Sequence, residues 1–536
     1  MKSLAELFKN VPDVKFFGPD PHGCRPHSLV SDSRRVIPNA LFFAMDGLRS
    51  RGSDYAPDAV LRGAVAVVSR ERLNLPANVA QAVVPNVAQS AALVAREFYA
   101  PAVPDDNASA HRPFPLVGVT GTNGKTSVTS LIRFLMMRQT DAPWGLIGTV
   151  RYELGRRSIP SYRTTPEALD LAGFFAEMRT ANCAGAVMEV SSHAISQNRV
   201  YALPFSVVAF TNLTQDHMDY HGTMENYFAV KSRLFDGSQG SFPSAAVINT
   251  DDIWGRRLLA ALPPQIRPVP FGIRKNFFNK IVADEAAAAL GPDAVPGTAN
   301  GFFAENLALS AAGSTFTLRC PAGSFAVRTR LPGDYNASNV LCALAVVHAL
   351  GANLADAVRN VADFEGVPGR MDRVRNNPFP FDVFVDYAHT DDALANALGM
   401  LKKITHGRLL VVFGCGGNRD RGKRPKMVRA VQKFADFAWA TSDNPRKEPL
   451  EQIFADMQTG IVNPEKIIFE PDRRRAIGLA IDAAVPDDCV LIAGKGHETY
   501  QEFAEITLPF DDRTVAAELL ALRRCRLSDS RLSDSK

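Results

Sequence analysis

The sequence has no run of 18 apolar residues, so no membrane-spanning helix is expected. Its first ten residues, MKSLAELFKN, lack the apolar core of a secretory signal. Seven cysteines, at 24, 183, 320, 342, 415, 489 and 525, form no CxxC pair. That argues against a zinc module and against a disulfide framework. Unpaired thiols in a reducing cytoplasm are the plain reading. Neither sign of charge is in real excess, because 60 Lys+Arg against 56 Asp+Glu leaves +4. So weak a bias does not imply a nucleic-acid partner. Gly 37 and Pro 35 are too few for a low-complexity or fibrous chain. What remains is an ordinary globular composition, 46% hydrophobic and 22% charged, over 536 residues. That length suggests about three to four domains.

The chain divides into three sections. The first, from residue 1 to about 110, holds two strand-like segments, Ala40–Met45 and Ala64–Ser69. Pro101 to Pro115 has the composition of a linker. The second section opens on a short apolar strand, Leu116–Val119, then a glycine-rich turn, then a predicted helix. In that helix Val128, Leu131, Ile132, Leu135 and Met136 recur at the spacing of one buried face. Ala186–Val190 and Ser206–Thr211 are further strand candidates, and strands alternating with helices suggest a mostly parallel sheet. Asp284 to Arg330 reads as β-rich elaboration. The third section starts near Gly369 and repeats the α/β pattern with Asp382–Asp386, Leu409–Gly414, Phe437–Thr441 and Cys489–Ala493. Sheets of this class place ligands at the carboxyl ends of their strands. The tail repeats Arg-Leu-Ser-Asp-Ser at 526–530 and 531–535, and is expected to be disordered.

The sharpest motif is Thr120-Gly-Thr-Asn-Gly-Lys-Thr126. Its glycines let backbone N–H groups approach phosphate, Lys125 reaches terminal phosphates, and the Thr126 hydroxyl suits Mg²⁺. The helix that follows points its positive end at the anion. The strict P-loop pattern has Gly where Val119 stands, but the strand before and the helix after supply the required context. Glu189-Val-Ser-Ser-His193 puts an acid at a strand end, a place from which it can hold a nucleotide metal. The plainer alternative is a helix-capping loop, since Ser191 and Ser192 are good N-caps. Asn212 to Gly222 is dense in donors, with Asp216, His217, Asp219 and His221, and two of these four are expected to be structural. Lys231 falls on the next helix, where a single lysine is normally a solvated charge. In the last section, Gly414–Gly422, Asp443–Arg446 and Gly494–Glu498 each follow a strand. Arg419 and Arg446 can pair with carboxylates, and Glu498 with an ammonium, a set that suits a zwitterionic amino acid. The bland alternative is that both arginines are surface charges.

Taken in order over nearly the whole chain, these motifs resemble those of the Mur ligases, ATP-dependent amide-forming enzymes of peptidoglycan precursor synthesis. GDYNASN (Gly333–Asn339), GRMDRV (Gly369–Val374) and VDYAHT (Val385–Thr390) complete the set. Asp391 and Arg163 depart from the residues the family commonly has, Pro and Asn. The resemblance implies an α/β fold of three domains. These are a uridine-nucleotide-binding domain over 1–111, a P-loop ATPase domain with a mostly parallel sheet over 112–366, and a Rossmann-like amino-acid-binding domain over 367–536. It implies ATP held by Gly121, Thr122, Asn123, Gly124, Lys125, Thr126, Asn336, Asn339, Arg370 and Asp386. Mg²⁺ would be held by Thr126, Glu189, His217 and Lys231, the lysine being carbamylated by CO₂, and Lys125, Lys231, His217 and Glu189 would serve catalysis. Ser31, Ser33, Thr164, Thr165, Ser191, Gln197 and Arg199 would contact a UDP-N-acetylmuramoyl dipeptide. Arg419, Asp443, Asn444, Pro445, Arg446, Gly494 and Glu498 would hold the incoming amino acid. The family uses Asp-Asn-Pro-Arg for meso-2,6-diaminopimelate, which carries one carboxylate more than lysine. An arginine left without that carboxylate would be an unpaired buried charge, so lysine should be rejected. The implied reaction passes through an acyl phosphate, in a cytoplasmic monomer with small-molecule partners and no nucleic acid or membrane. A lysine-adding ligase, another acceptor such as in folylpolyglutamate synthesis, and a P-loop NTPase without ligase activity are the alternatives.

Overall fold

The computed structural model describes residues 1–47, 50–100, 114–273 and 301–533. The chain folds as two compact units, one taking in Met1–Phe271 and Cys342–Ala357, the other Phe302–Leu341 and the chain from Val358 onward.

The first unit contains two sheets. Five strands form the N-terminal one, in spatial order Lys15–Phe17, Ala80–Val83, Ala64–Ser69, Ala40–Phe43 and Ser28–Val30. All its pairings are parallel except that of the first strand. The second sheet is built around Leu116–Thr120, which lies between Gly185–Glu189 and Phe205–Phe210, parallel to both. Trp144–Ile147, Ala245–Asn249 and Arg267–Ile273 extend it in parallel. These strands are continuous apolar runs because both faces are covered, as parallel sheets require. The helix Lys125–Met137 buries Val128, Leu131, Ile132, Leu135 and Met136, the face its spacing predicts.

The second unit carries an antiparallel set, Phe302–Ser310, Gly313–Cys320 and Gly323–Thr329. This is the β-rich elaboration expected up to Arg330; residues 274–300 of that stretch lie outside the described residues, as do 101–113 of the expected linker. Its main sheet runs, in spatial order, Asp372–Arg373, Asp382–Asp386, Cys489–Ala493, Leu409–Cys415, Phe437–Ser442 and Ile467–Glu470. All but the first are parallel. Both faces are apolar, with Phe384, Val411, Phe413 and Leu491 in one core and Val383, Leu410, Val412 and Val490 in the other. This is the doubly wound arrangement in which loops at the carboxyl ends of the strands form the ligand face.

One expectation is overturned. The tail is not disordered as far as the structure describes it: the helix Asp512–Ser533 runs through the first Arg-Leu-Ser-Asp-Ser unit and into the second. Val515, Ala516 and Leu520 bury one face of this helix, and Arg526 pairs with Asp482 at 2.7 Å. A helix anchored over its first turns propagates cheaply, one hydrogen bond per added residue.

Candidate active site

The strand Leu116–Thr120 runs into a tight loop at Gly121, and the helix starting at Lys125 follows. Gly121 has φ +146°, and a Cβ there would lie 2.0 Å from the Thr211 hydroxyl. No other residue fits so close an approach. The loop is laced to the next strand end, with Thr122 N–H donating to Asn212 O at 2.9 Å and Asn123 N–H to Asn212 Oδ1 at 2.9 Å. The Lys125 ammonium folds back onto the loop, donating to Gly121 O (2.9 Å) and Thr122 O (2.8 Å).

Glu189 ends the neighbouring strand and is buried. Its carboxylate accepts from the Thr126 hydroxyl (3.0 Å), the Thr149 hydroxyl (3.0 Å) and the Thr149 N–H (2.7 Å). The metal-site and capping readings of this segment are compatible, because Ser191 is the N-cap of the short helix Ser192–Ser196. A hydroxyl and a carboxylate 3.0 Å apart, at the mouth of a phosphate loop, are hard oxygen donors that fit Mg²⁺ shared with substrate phosphates. Among the described residues no group of three or more His, Cys, Asp or Glu is arranged to hold a metal by itself.

Lys231 is not the solvated charge that a lone helical lysine suggests. It is 1% exposed, on the inward face of the helix Met224–Ser232. Its Nζ donates to Gly121 O at 3.0 Å and lies 4.8 Å from the centre of the Tyr227 ring. Burial, with the Lys125 charge adding to it, pushes this amine well below the ordinary lysine range. His217 has left-handed backbone, φ +54°, and pairs with Asp216 at 3.4 Å. His221 is buried, bonded to Ser192 Oγ at 2.9 Å and stacked on Tyr227, so its role is structural. His193 sits against His217 and Tyr220, and burial drops its pKa to about 4.

Five residues assigned to the UDP-substrate come together beside Glu189. Thr165 Oγ1 donates to Glu189 O (2.8 Å) and accepts from Ser191 N–H (3.1 Å). Thr164 Oγ1 lies 3.2 Å from Thr149 Oγ1, and Arg199 donates to Thr165 O (2.9 Å) and Gln197 Oε1 (3.1 Å). Ser31 and Ser33 lie on the N-terminal sheet side, where Ser31 lines a small hollow with Arg35 and Asp170. Sequence spacing does not single out Thr149, which stands in no motif, or Tyr220, which lies inside Asn212–Gly222 among stronger donors.

In the second unit, Asn336 donates to Pro332 O (2.8 Å) and accepts from Asn339 (3.1 Å), both buried in the helix Asp334–Ala349. Asp386 accepts from the N–H groups of Met371 (2.6 Å) and Ala388 (2.9 Å). Burial raises its pKa, and the Arg370 charge opposes the rise. Arg370 stacks on Tyr387 at 4.6 Å.

The loops after Cys415, Ser442 and Ala493 converge. A Cβ on Gly417 would lie 1.8 Å from Pro445 O, so the first two loops touch through backbone. Asn444 Nδ2 donates to Glu498 Oε2 at 2.8 Å, and buried Lys495 donates to Asn444 Oδ1 (3.0 Å) and Glu498 (3.2 Å). A Cβ on Gly494 would come within 2.6 Å of the Asp443 carboxylate. Arg419 is exposed on the first loop. Arg446 departs from the expectation of an unpaired buried charge. It is partly exposed and already bonded, to Glu502 Oε2 (2.9 Å) and Gly417 O (3.0 Å). The partner lies 56 residues further on, out of reach of any local pattern. Glu498 likewise already holds Lys495. Behind the loops, fully buried Arg424 bonds Glu448 (2.7 Å) and Asp456 (2.8 Å), and Glu448 accepts from Asn418 N–H at 2.8 Å.

A glycine-rich loop with a buried acid and a buried lysine stands in one unit and three converging loops in the other, and comparison with known proteins bears on both. The Mur ligase middle domain matches residues 119–347, the Mur ligase glutamate ligase domain 369–496, and the Mur ligase family catalytic domain 25–110. The chain belongs to the Mur ligase family and is a ligase. Among curated relatives, the UDP-N-acetylmuramoyl-L-alanyl-D-glutamate--2,6-diaminopimelate ligase of Solibacter usitatus is 39% identical over 97% of this chain and 98% of its own. The enzyme of the same name from Geobacillus kaustophilus is 40% identical over 92% and 95%. A solved structure of a ligase of that name superposes with TM-score 0.66 at 32% identity, covering 98% of this chain and 100% of the other. The D-alanyl-D-alanyl-adding ligase of Acinetobacter baumannii shares the fold, with TM-score 0.60 at 16% identity over 97% and 98%.

Proposed function

We propose that this chain joins meso-2,6-diaminopimelate to UDP-N-acetylmuramoyl-L-alanyl-D-glutamate at the expense of ATP. The carrying observation is Arg446, within Asp-Asn-Pro-Arg, standing over the loop junction where Asn444, Glu498 and Gly417 meet. Near-full-length relatives that bear this activity in their name support the same reading.

ATP sits on Gly121–Thr126. Lys125 exchanges its two loop carbonyls for phosphate oxygens. Thr126 and Glu189 would hold Mg²⁺, with His217 a further donor; bound there, the ion would offset charge on the phosphate oxygens. Lys231, whose burial favours the neutral amine, attacks CO₂ with its nitrogen lone pair; an N–C bond forms, one proton leaves, and the side chain becomes an anionic carbamate. Ser31, Ser33, Thr164, Thr165, Ser191, Gln197 and Arg199 orient the UDP-substrate. Its terminal glutamate carboxylate attacks the γ-phosphorus, an O–P bond forms, and ADP leaves. The diaminopimelate amine then attacks the acyl phosphate carbon, a C–N bond forms, and phosphate departs with the amine proton lost to solvent. No protein nucleophile is needed; positioning and cationic charge do the catalysis. Arg419, Asp443, Pro445, Gly494 and Glu498 complete the amino-acid subsite. The three-domain division at 1–111, 112–366 and 367–536, a cytoplasmic location and a monomeric state belong to this reading. Among the described residues no helix is long and apolar enough to cross a membrane.

The test is ADP release with the UDP-dipeptide, comparing diaminopimelate with L-lysine and wild type with Arg446→Ala. Turnover with diaminopimelate alone, falling about a hundredfold in kcat/KM in the variant, is expected. Equal turnover with lysine would keep the ligase and sink the specificity. Release indifferent to either amino acid would leave only an NTPase.

A further inference from the structure

The amino-acid subsite proposed above is carried on three strands, Leu409–Cys415 flanked by Phe437–Ser442 and Cys489–Ala493. Ladder hydrogen bonds hold these strands along their length, but the two flanking strands do not touch each other. Strands two places apart are separated by about 9.6 Å, more than one backbone hydrogen bond spans. Asn444, Lys495 and Glu498 join the loops that follow them, and among the described residues one side chain ties the two strand ends themselves. Arg473, the first residue of the helix Arg473–Ala483, is fully buried. It donates from Nη1 to Ser442 O at 3.3 Å and from Nη2 to Ala493 O at 3.0 Å. Those carbonyls belong to the last residues of the two flanking strands, and the next residues in the chain are Asp443 and Gly494. The other edge of the guanidinium is locked by buried Asp512, with Nε to Oδ1 at 2.8 Å and Nη2 to Oδ2 at 2.7 Å. Gln501 reinforces one side, donating to Ser442 Oγ and Asp443 O, each at 3.1 Å.

We infer that Arg473, aimed by Asp512, is a positioning residue for the amino-acid subsite, setting the separation between the Asp443–Arg446 and Gly494–Glu498 loops. The inference rests on the assignment of those loops to diaminopimelate. A planar fork of five donors can hold a carboxylate and two divergent carbonyls at once; an ammonium cannot. Stability alone is a poor explanation for the pair, since well-packed apolar residues often replace a buried ion pair without loss. Apolar side chains offer nothing to the two carbonyls.

Two variants of the full chain test this, Arg473→Lys and the double variant Arg473→Met with Asp512→Leu. Both are first checked for a cooperative melt, and Asp512→Asn serves if neither folds. The expected result is a KM for diaminopimelate raised about tenfold or more, with the KM for ATP and for the UDP-dipeptide within about twofold of wild type. Hydrogen exchange gives a readout independent of turnover: the amides of 443–446 and 494–498 exchange faster in the variants, and those of 121–126 do not. A folded variant with wild-type KM for diaminopimelate and unchanged exchange in both loops overturns the inference. Wild-type protein that fails to turn over diaminopimelate removes the subsite assignment instead; the exchange data then still decide whether Arg473 holds the loops.

Discussion

Lys231 is an amine buried where its charged form is expensive, with no ion-pair partner among the described residues. Such a group costs stability, and on the proposed reading it is kept for chemistry. Lys231→Met is expected to raise the thermal midpoint by about 2–4 °C while turnover falls at least about a hundredfold. The pH dependence follows from the direction of the shift. Folded protein releases the Lys231 proton at a lower pH than the unfolded chain does, near 10.5. Between those values the unfolded chain binds more protons, so stability rises with pH. The gap in midpoint between the variant and wild type therefore narrows as pH is raised through that window, and calorimetry across the range checks it. At this scale the sequence was partly readable. Lys125, Thr126 and Glu189 announce themselves through local spacing. Lys231 does not, because its meaning lies in burial, and Arg446 is visible in its tetrapeptide while its counter-ion Glu502 is not.

Elements were legible where burial on both faces leaves an uninterrupted apolar run. The strands Ala64–Ser69, Asp382–Asp386 and Cys489–Ala493 have the bounds their composition predicts. The short antiparallel strands Arg151–Glu153 and Ser158–Pro160 give no such signal, since their burial is mixed. Nor does any pattern reveal how loops are tied together, because those ties join residues far apart in the chain. The Arg424 knot is one case. Hydrogen bonding to Arg424 holds the Glu448 carboxyl at about 2, and bonding to Arg421 and Arg424 holds Asp456 at about 2. Both values lie below those of the unfolded chain, so this stabilisation is present above about pH 4.5 and is lost as pH falls toward 2. Urea melts of wild type should therefore weaken through that window. Melts of Arg424→Met should weaken less, and start from a lower stability because Glu448 loses its partner and Asp456 keeps only Arg421.

The whole chain spends its few cysteines in a telling way. None is bonded to another among the described residues, and Cys183, Cys342, Cys415 and Cys489 are buried while Cys525 is exposed. Cys183 belongs to the first compact unit, and Cys415 and Cys489 to the second. Burial raises the pKa of all three, to about 12 for Cys415, so in the native state each is both inaccessible and protonated. A thiol in that condition does not react with an alkylating agent until its surroundings open. The molecule thus carries its own clock for local unfolding, with separate hands for its two halves. Exposed to an alkylating reagent, Cys525 should be modified at once. Cys183 should then label at a rate set by opening of the nucleotide-loop unit, and Cys415 and Cys489 together at a second rate. Mass spectrometry over time, with and without ATP and diaminopimelate, reads which half each ligand closes. Equal rates for all three thiols would mean that the two units open only as one.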